Sequence, residues 1–276
     1  MKMKMKMKMK RTITYQRVDP AGNITAFVFT PTPVEEHVAI GRSLMEQVDT
    51  DIEQVGFITF NEKGVPLRMD MMGGEFCGNA SRSLGLLQAL LKKREGRVTE
   101  EVMVSGASRP LAVYVDTKRL CAEIALPKPI AILPIPLEGV SYTAVHLSGI
   151  LHILLPNREE DEGFVRRVLP FLKQNYPSEA YGMMFLAESQ KEMVPYVYVT
   201  KADTLYREGS CGSGSFAVAV AKKDAWNLRE KPVLLKQPRG TIELSLGDGP
   251  SGEEVRIGGE IRMDEQKTVQ IECSSL

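Results

Sequence analysis

The chain is sparing with the residues that build metal sites and cross-links: 276 residues include four cysteines, three histidines and one tryptophan. The cysteines, Cys77, Cys121, Cys211 and Cys273, form no Cys-x-x-Cys pair, and His37, His146 and His152 are scattered. Neither zinc-ligand spacing nor the cysteine density of a disulfide scaffold is present. No apolar run approaches the ~20 residues needed to span a bilayer. An excess of charge is also missing, since 35 basic residues balance 35 acidic ones. Five of the lysines alternate with methionine in residues 1–10, MKMKMKMKMK, which therefore has no apolar signal-peptide core and reads as an expression leader. The remainder is mildly acidic, so no basic face for nucleic acid is expected. The expectation is a cytoplasmic protein with free thiols, no metal, no membrane or nucleic-acid partner, and a small-molecule ligand.

What the chain does have is short β-like runs, TITYQRV, ITAFVFT and QVGFITF, separated by turn residues. Between them EEHVAIGRSLMEQV has helical apolar spacing. After Cys77, NASRSLGLLQALLKK is apolar on nearly every side, the pattern of a helix buried at the centre of a domain. The second half repeats the order: strands at YTAVHLS and LHILLP, a helix at EGFVRRVLPFLKQN, strands again, then Cys211 and the apolar GSFAVAVAKKDAW. This predicts a weak internal duplication. The expected organisation is the leader 1–10, an N-terminal domain 11–130 with Cys77, and a C-terminal domain 131–265 with Cys211. Residues 266–276 form a C-terminal segment able to return to the first domain. The proline-rich LPKPIAILPIPLEG reads as the linker. The fold class is α+β, two similar domains with a cleft between them.

Each half places a cysteine before glycine and small residues at a predicted helix start, GGEFCGNASRS and REGSCGSGSFA. A helix N-terminus presents N–H groups without intrahelical partners and a positive dipole end, which favours a thiolate. Glycine and small neighbours let an anionic group, such as a carboxylate, reach the backbone. One such element is as readily a packed cysteine. Two in matching places suggest thiols that work as a pair on one small ligand, removing a proton from one face of a carbon and returning it to the other.

These motifs resemble the cofactor-independent, two-cysteine amino-acid racemases and epimerases typified by diaminopimelate epimerase. The resemblance extends from DPAGNITAFV to QPRGTIELSL, and CGNASRS with SCGSGS matches the family's two cysteine motifs. EQVGFI, GGEFCGNA, YGMM and REGSCGSG are most similar to the histidine racemases of staphylopine-type metallophore synthesis. The resemblance implies two pseudo-symmetric domains, each a curled sheet or barrel around a central helix, and a pyridoxal-free isomerase, commonly a homodimer. It implies Cys77 and Cys211 as the acid/base pair. Gly78, Asn79, Gly212 and Ser213 would offer N–H groups to the substrate carboxylate, with Asn23, Glu53, Gln54 and Glu208 as further substrate contacts. No cofactor is expected.

The departures bear on substrate. Diaminopimelate epimerases carry an arginine directly after the glutamate for their distal carboxylate, and here Gly209 follows Glu208. Arg207 precedes it and should point elsewhere. Met71, Met72, Tyr181, Met183 and Met184 are candidates to line a different pocket. Alternatives are a diaminopimelate epimerase or broad-specificity racemase, and a non-catalytic metabolite-binding member of the fold. A phenazine-type isomerase lacks the cysteine pair, and a thiol–disulfide redox protein is a further rival. Cys121 reads as a strand core residue, Cys273 as a surface thiol, and His152 as a structural histidine in an apolar strand.

Overall fold

The computed structural model describes residues 8–201, 203–249 and 252–274. In chain order the elements are β1 (Lys8–Asp19), β2 (Thr25–Val28), α1 (His37–Gln47), β3 (Gln54–Phe60), β4 (Pro66–Met71), α2 (Gly78–Leu91), β5 (Arg97–Val102), β6 (Leu111–Asp116) and β7 (Cys121–Ala125). There follow β8 (Ala131–Leu137), β9 (Val140–Leu147), β10 (Ile150–Pro156), α3 (Glu162–Asn175), β11 (Ala180–Ala187), β12 (Glu192–Val199) and β13 (Thr204–Arg207). The chain ends with α4 (Gly212–Lys222), β14 (Val233–Gln237), β15 (Gly240–Gly249), β16 (Gly252–Gly258) and β17 (Arg262–Ser274). It divides into two compact units, one running to Ile124 and resuming at Gly259, the other Ala125–Gly258. The expected α+β class holds, with sheet predominating.

In the first unit the strand order is β17-β1-β2-β3-β4. β2 and β3 are parallel and joined through α1; the other pairs are antiparallel. α1 buries Ile40 and Leu44 against Ile13, Val55 and Ile271, which form one apolar cluster. α2 packs against β4, β5 and β6 and is buried continuously from Gly78 to Ala89, as its all-round apolar sequence demands. Arg82, fully buried within it, donates through Nη1 to the Ala122 carbonyl (3.4 Å) and the Gly259 carbonyl (2.9 Å). It thus ties the helix to the point where the chain re-enters this unit.

The second unit repeats the plan. β8-β9-β10-β11-β12 follow the same order, with β10 and β11 parallel and joined through α3. β17 therefore fills in one unit the place that β8 fills in the other. α3 covers one face of the sheet, burying Phe164, Val168 and Leu172 against Leu151, Ile153, Tyr181, Met183 and Phe185. α4 packs against β9, β10, β15 and β16.

Two expectations change. The proline-rich segment contains a strand, β8, rather than a linker. β8 lies at the end of the sheet path and, among the described residues, pairs only with β9. Pro134 and Pro136, two residues apart, turn their missing N–H groups to the open side, where no ladder bond is lost. β1 begins at Lys8, within the run set aside as a leader, and Lys8–Lys10 pair with Glu272–Ser274. Residues 1–7 of that run lie outside the described residues.

Helix–sheet contact in the first unit is close at Gly85, where an added Cβ would lie 2.5 Å from Val113 Cγ1 and 2.6 Å from Val113 Cβ. Alanine at an ordinary helical position gains about 1 kcal/mol over glycine. Overpacking against a β-branched partner costs about 1–3 kcal/mol. Gly85→Ala is expected to lower stability, measured by urea denaturation; a rise in the unfolding midpoint would refute the close packing.

Candidate active site: two cysteine-capped helices

In the first unit, the loop after β1 aims Asn23. Gly22 N–H donates to Asp19 Oδ1 (2.6 Å), and Ala21 and Gly22 both have positive φ, 66° and 84°. Parallel pairing of Thr25 with Gln54 then brings Asn23 beside Glu53, and Asn23 Nδ2 donates to Glu53 Oε2 (3.0 Å). Cys77 is the N-cap of α2, in extended backbone geometry (φ −129°, ψ 112°). Its sulfur accepts the Ala80 N–H (3.4 Å), and its S–H faces Asn23 Oδ1 (3.9 Å). Ser81 Oγ donates to the Cys77 carbonyl (2.7 Å). Asn79 is buried, and its Oδ1 is taken by Arg82 Nε (3.2 Å), so this side chain braces the helix rather than a ligand. The first-turn N–H groups of Gly78 and Asn79 have no intrahelical acceptor. Gln54 Oε1 is buried and has no hydrogen-bond partner.

The second unit builds the same arrangement from different surroundings. Arg207 is taken up by a carboxylate: its Nε and Nη2 donate to the two oxygens of Glu160 (2.5 and 3.0 Å), and Tyr196 OH donates to Glu160 Oε1 (2.6 Å). Burial and this carboxylate push the Tyr196 phenol up to about 12. Glu208 N–H donates to the Pro195 carbonyl (3.0 Å). The Arg239 side chain lies across Gly209, where an added Cβ would sit 2.4 Å from its Cδ. Cys211 caps α4 in nearly the same geometry as Cys77 (φ −123°, ψ 107°). Its N–H donates to Gln237 Oε1 (2.8 Å), Gln237 Nε2 donates to Ser215 Oγ (2.9 Å), and Ser215 Oγ donates to the Cys211 carbonyl (2.7 Å). Ser213 Oγ is 3.7 Å from Cys211 Sγ and 3.0 Å from His152 Nε2. Ser210 Oγ is buried beside it without a hydrogen-bond partner.

A helix-start cysteine was expected to have a depressed pKa. For Cys211 the net direction is opposite: burial, then the Glu208 carboxylate, push the thiol well up. The Gly214 N–H and the Ser213 hydroxyl pull partly back, but Gly214 does not close a capping hydrogen bond as Ala80 does on Cys77. Removing a thiolate from water outweighs one helix end. Cys211 therefore rests as the thiol.

The structure gathers Asn23, Glu53, Gln54, Cys77, Gly78 and Asn79 in the first unit, and Glu208, Cys211, Gly212 and Ser213 in the second. The expected pocket lining is corrected. Tyr181 and Met183 face α3 within its apolar cluster, and Tyr181 OH donates to the Tyr176 carbonyl (3.0 Å). Met71 is core and Met72 packs on the α1 cluster at Gly41. By strand alternation Met184 points the other way, against Gly214 of α4. The readings of the other thiols also reverse. Cys121 is half-buried while Ala122 and Ile124 point inward, and Cys273 is buried in the α1 cluster because β17 is covered by that helix. His152, read as a structural histidine, reaches the Cys211 cap through Ser213, and Ser81, Ser215 and Gln237, which brace the two caps, were not singled out in the sequence. The two serines share the i+4 spacing from their cysteines, the one signal that was available.

Comparison with known proteins places this geometry in a family. Residues 12–267 match the family model described as the histidine racemase CntK N-terminal domain. The chain belongs to the histidine racemase family. A histidine racemase of Fusobacterium nucleatum subsp. nucleatum is 30% identical, over 95% of this chain and 98% of that protein. One of Staphylococcus aureus is 29% identical, over 84% of this chain and 88% of its own length. Among solved structures, a predicted epimerase from Pseudomonas aeruginosa aligns with TM-score 0.67 and 15% identity, over 93% of this chain and 99% of its own. A hydroxyproline epimerase from Agrobacterium vitis aligns with TM-score 0.59 and 11% identity, over 98% and 95%. These structures share the fold.

Gln237 holds both the Cys211 N–H and Ser215, so Gln237→Ala should leave buried polar groups unpaired at about 1–3 kcal/mol. Urea denaturation should show that loss, and Gln237→Glu, which keeps the acceptor for the Cys211 N–H, should recover part of it. Equal stability of wild type and Gln237→Ala would show that the bracket is not formed.

Proposed function

We propose that this protein racemises histidine without a cofactor, with Cys77 and Cys211 acting on the α-carbon from its two faces. The observation that carries the reading is the matched pair of cysteine N-caps, with backbone angles within about 6° of each other and the same serine bond to the cysteine carbonyl. One sulfur as thiolate takes the α-proton while the other, as thiol, protonates the opposite face. The first-turn N–H groups of Gly78, Asn79, Gly212 and Ser213 hold the carboxylate and stabilise the charge that develops on it. Glu208 and Glu53 suit the substrate ammonium. Docking that cation on Glu208 offsets the carboxylate's contribution to raising the Cys211 thiol, burial being the larger cause, so substrate binding itself eases thiolate formation.

The substrate assignment draws on the relatives named histidine racemase. It also draws on Gly209, over which Arg239 packs, where the diaminopimelate-specific pattern has an arginine. The buried Oε1 of Gln54 and Oγ of Ser210 lack hydrogen-bond partners, as expected of groups reserved for a ligand. A homodimer working in the cytoplasm and supplying D-histidine for metallophore synthesis completes the proposal. No helix among the described residues is long and apolar enough to cross a membrane.

Incubation with single amino acids and no added cofactor, followed by chiral chromatography, should interconvert L- and D-histidine and leave diaminopimelate nearly untouched. Cys77→Ser and Cys211→Ser should each lose on the order of 10²–10⁴-fold in rate, the usual worth of a positioned acid or base. Rapid turnover of diaminopimelate alone would overturn the substrate. Near-full activity in either serine variant would overturn the two-thiol chemistry.

A further inference from the structure

His152 stands on β10 with its ring turned from the α3 cluster toward α4, and it is fully buried. Its Nε2 meets Ser213 Oγ at 3.0 Å, and that hydroxyl lies 3.7 Å from Cys211 Sγ. The other ring nitrogen, Nδ1, is buried without any hydrogen-bond partner. It lies against Gly182, the residue registered opposite His152 on β11, where any Cβ would collide with the ring. A histidine kept only for packing would not need one nitrogen left unpaired and the facing residue reduced to glycine.

We propose that His152 and Ser213 form a fixed donor relay that aims a hydroxyl proton at the Cys211 sulfur and so sets how readily this cysteine becomes a thiolate. The relay rests on the reading of Cys211 as one of the two acid/base thiols. Its direction follows from the unpaired nitrogen. A buried N–H without an acceptor is rarer and costlier than an acceptor without a donor, so the ring proton sits on Nε2 and is donated to Ser213 Oγ. The serine hydroxyl then gives its own proton to the sulfur. Burial holds the His152 imidazole down to about 3, so the relay stays neutral through the working pH range. Around Cys211, Glu208 just after β13 opposes the thiolate, whereas Ser213 and the Gly214 N–H favour it. Met184 of β11 adds no charge. Gln237 of β14 is spent on the backbone, and Arg239 from the β14–β15 turn packs over Gly209. Ser213 and His152 are positioning residues: they touch the reacting sulfur or its donor, while the Ser213 backbone N–H is left for the substrate.

The test is the pH dependence of Cys211 alkylation by iodoacetamide in the full chain, followed site by site with mass spectrometry. Ser213→Ala should move the midpoint upward by about one pH unit, a roughly tenfold slower reaction below it, the scale of one hydrogen bond to a charged group. Ser213→Thr, which keeps the hydroxyl, should restore the wild-type midpoint. His152→Gln, whose amide N–H can replace Nε2–H, should shift it by less than about half a unit. An unmoved midpoint in Ser213→Ala, or equal shifts in the Ala and Thr variants with unchanged melting temperatures, overturns the relay. An unmoved midpoint in His152→Leu, which has no donor, with normal melting removes His152 from it. Because alkylation needs no turnover, racemisation surviving in Cys211→Ser would count against the two-thiol reading alone.

Discussion

A serine hydroxyl bonded to the carbonyl of a cysteine four residues earlier, at 2.7 Å in both units, is the interaction on which the rest of the site depends. It fixes the cysteine at the junction between extended chain and helix, where the side chain and the first-turn N–H groups project the same way. Ser81 and Ser215 are fully buried, so neither hydroxyl can trade its carbonyl for water. The helices behind them are buried because their sequences are apolar all round, and each sheet supplies the matching surface. Sequence, helix burial and cysteine presentation are thus consequences of one another.

The two cysteines share a backbone but not an environment. Cys77 accepts a full capping bond from Ala80 and faces the Asn23 amide. Cys211 is more deeply buried, faces Glu208, and is steadied from a distant strand by Gln237. The two units therefore share the geometry that presents a thiol and differ in the groups that tune it. Such an asymmetry suits a reaction in which one sulfur begins as base and the other as acid.

Much of this was legible in the sequence because it is written in local pattern. Alternating apolar residues marked the strands, all-round apolar runs marked α2 and α4, and the Cys-Gly-small motifs marked both caps. What was not legible depended on distant pairing. Cys273 is buried only because β17 returns to β1 beneath α1, and a residue near a chain end carries no local mark of that. AILPIPL looked like a linker because proline is disfavoured in sheets, yet an edge strand accepts it. Tyr181 and Met183 were assigned to a pocket by residue type, but strand alternation turned them to the α3 core and left Met184 facing α4. His152 lay in an apolar strand whose period could not reveal which helix its ring would meet.

The central claim, that inversion uses two thiols on opposite faces of one carbon, is tested most directly by isotope exchange in deuterium oxide. L-histidine should be incubated briefly with the protein and both enantiomers separated for mass spectrometry. Early in the reaction the D-histidine formed should carry one solvent deuteron at the α-carbon, while the unreacted L-histidine remains protiated. A product that retains the substrate's own α-proton, or an L pool that gains deuterium as fast as the D pool, would contradict the account.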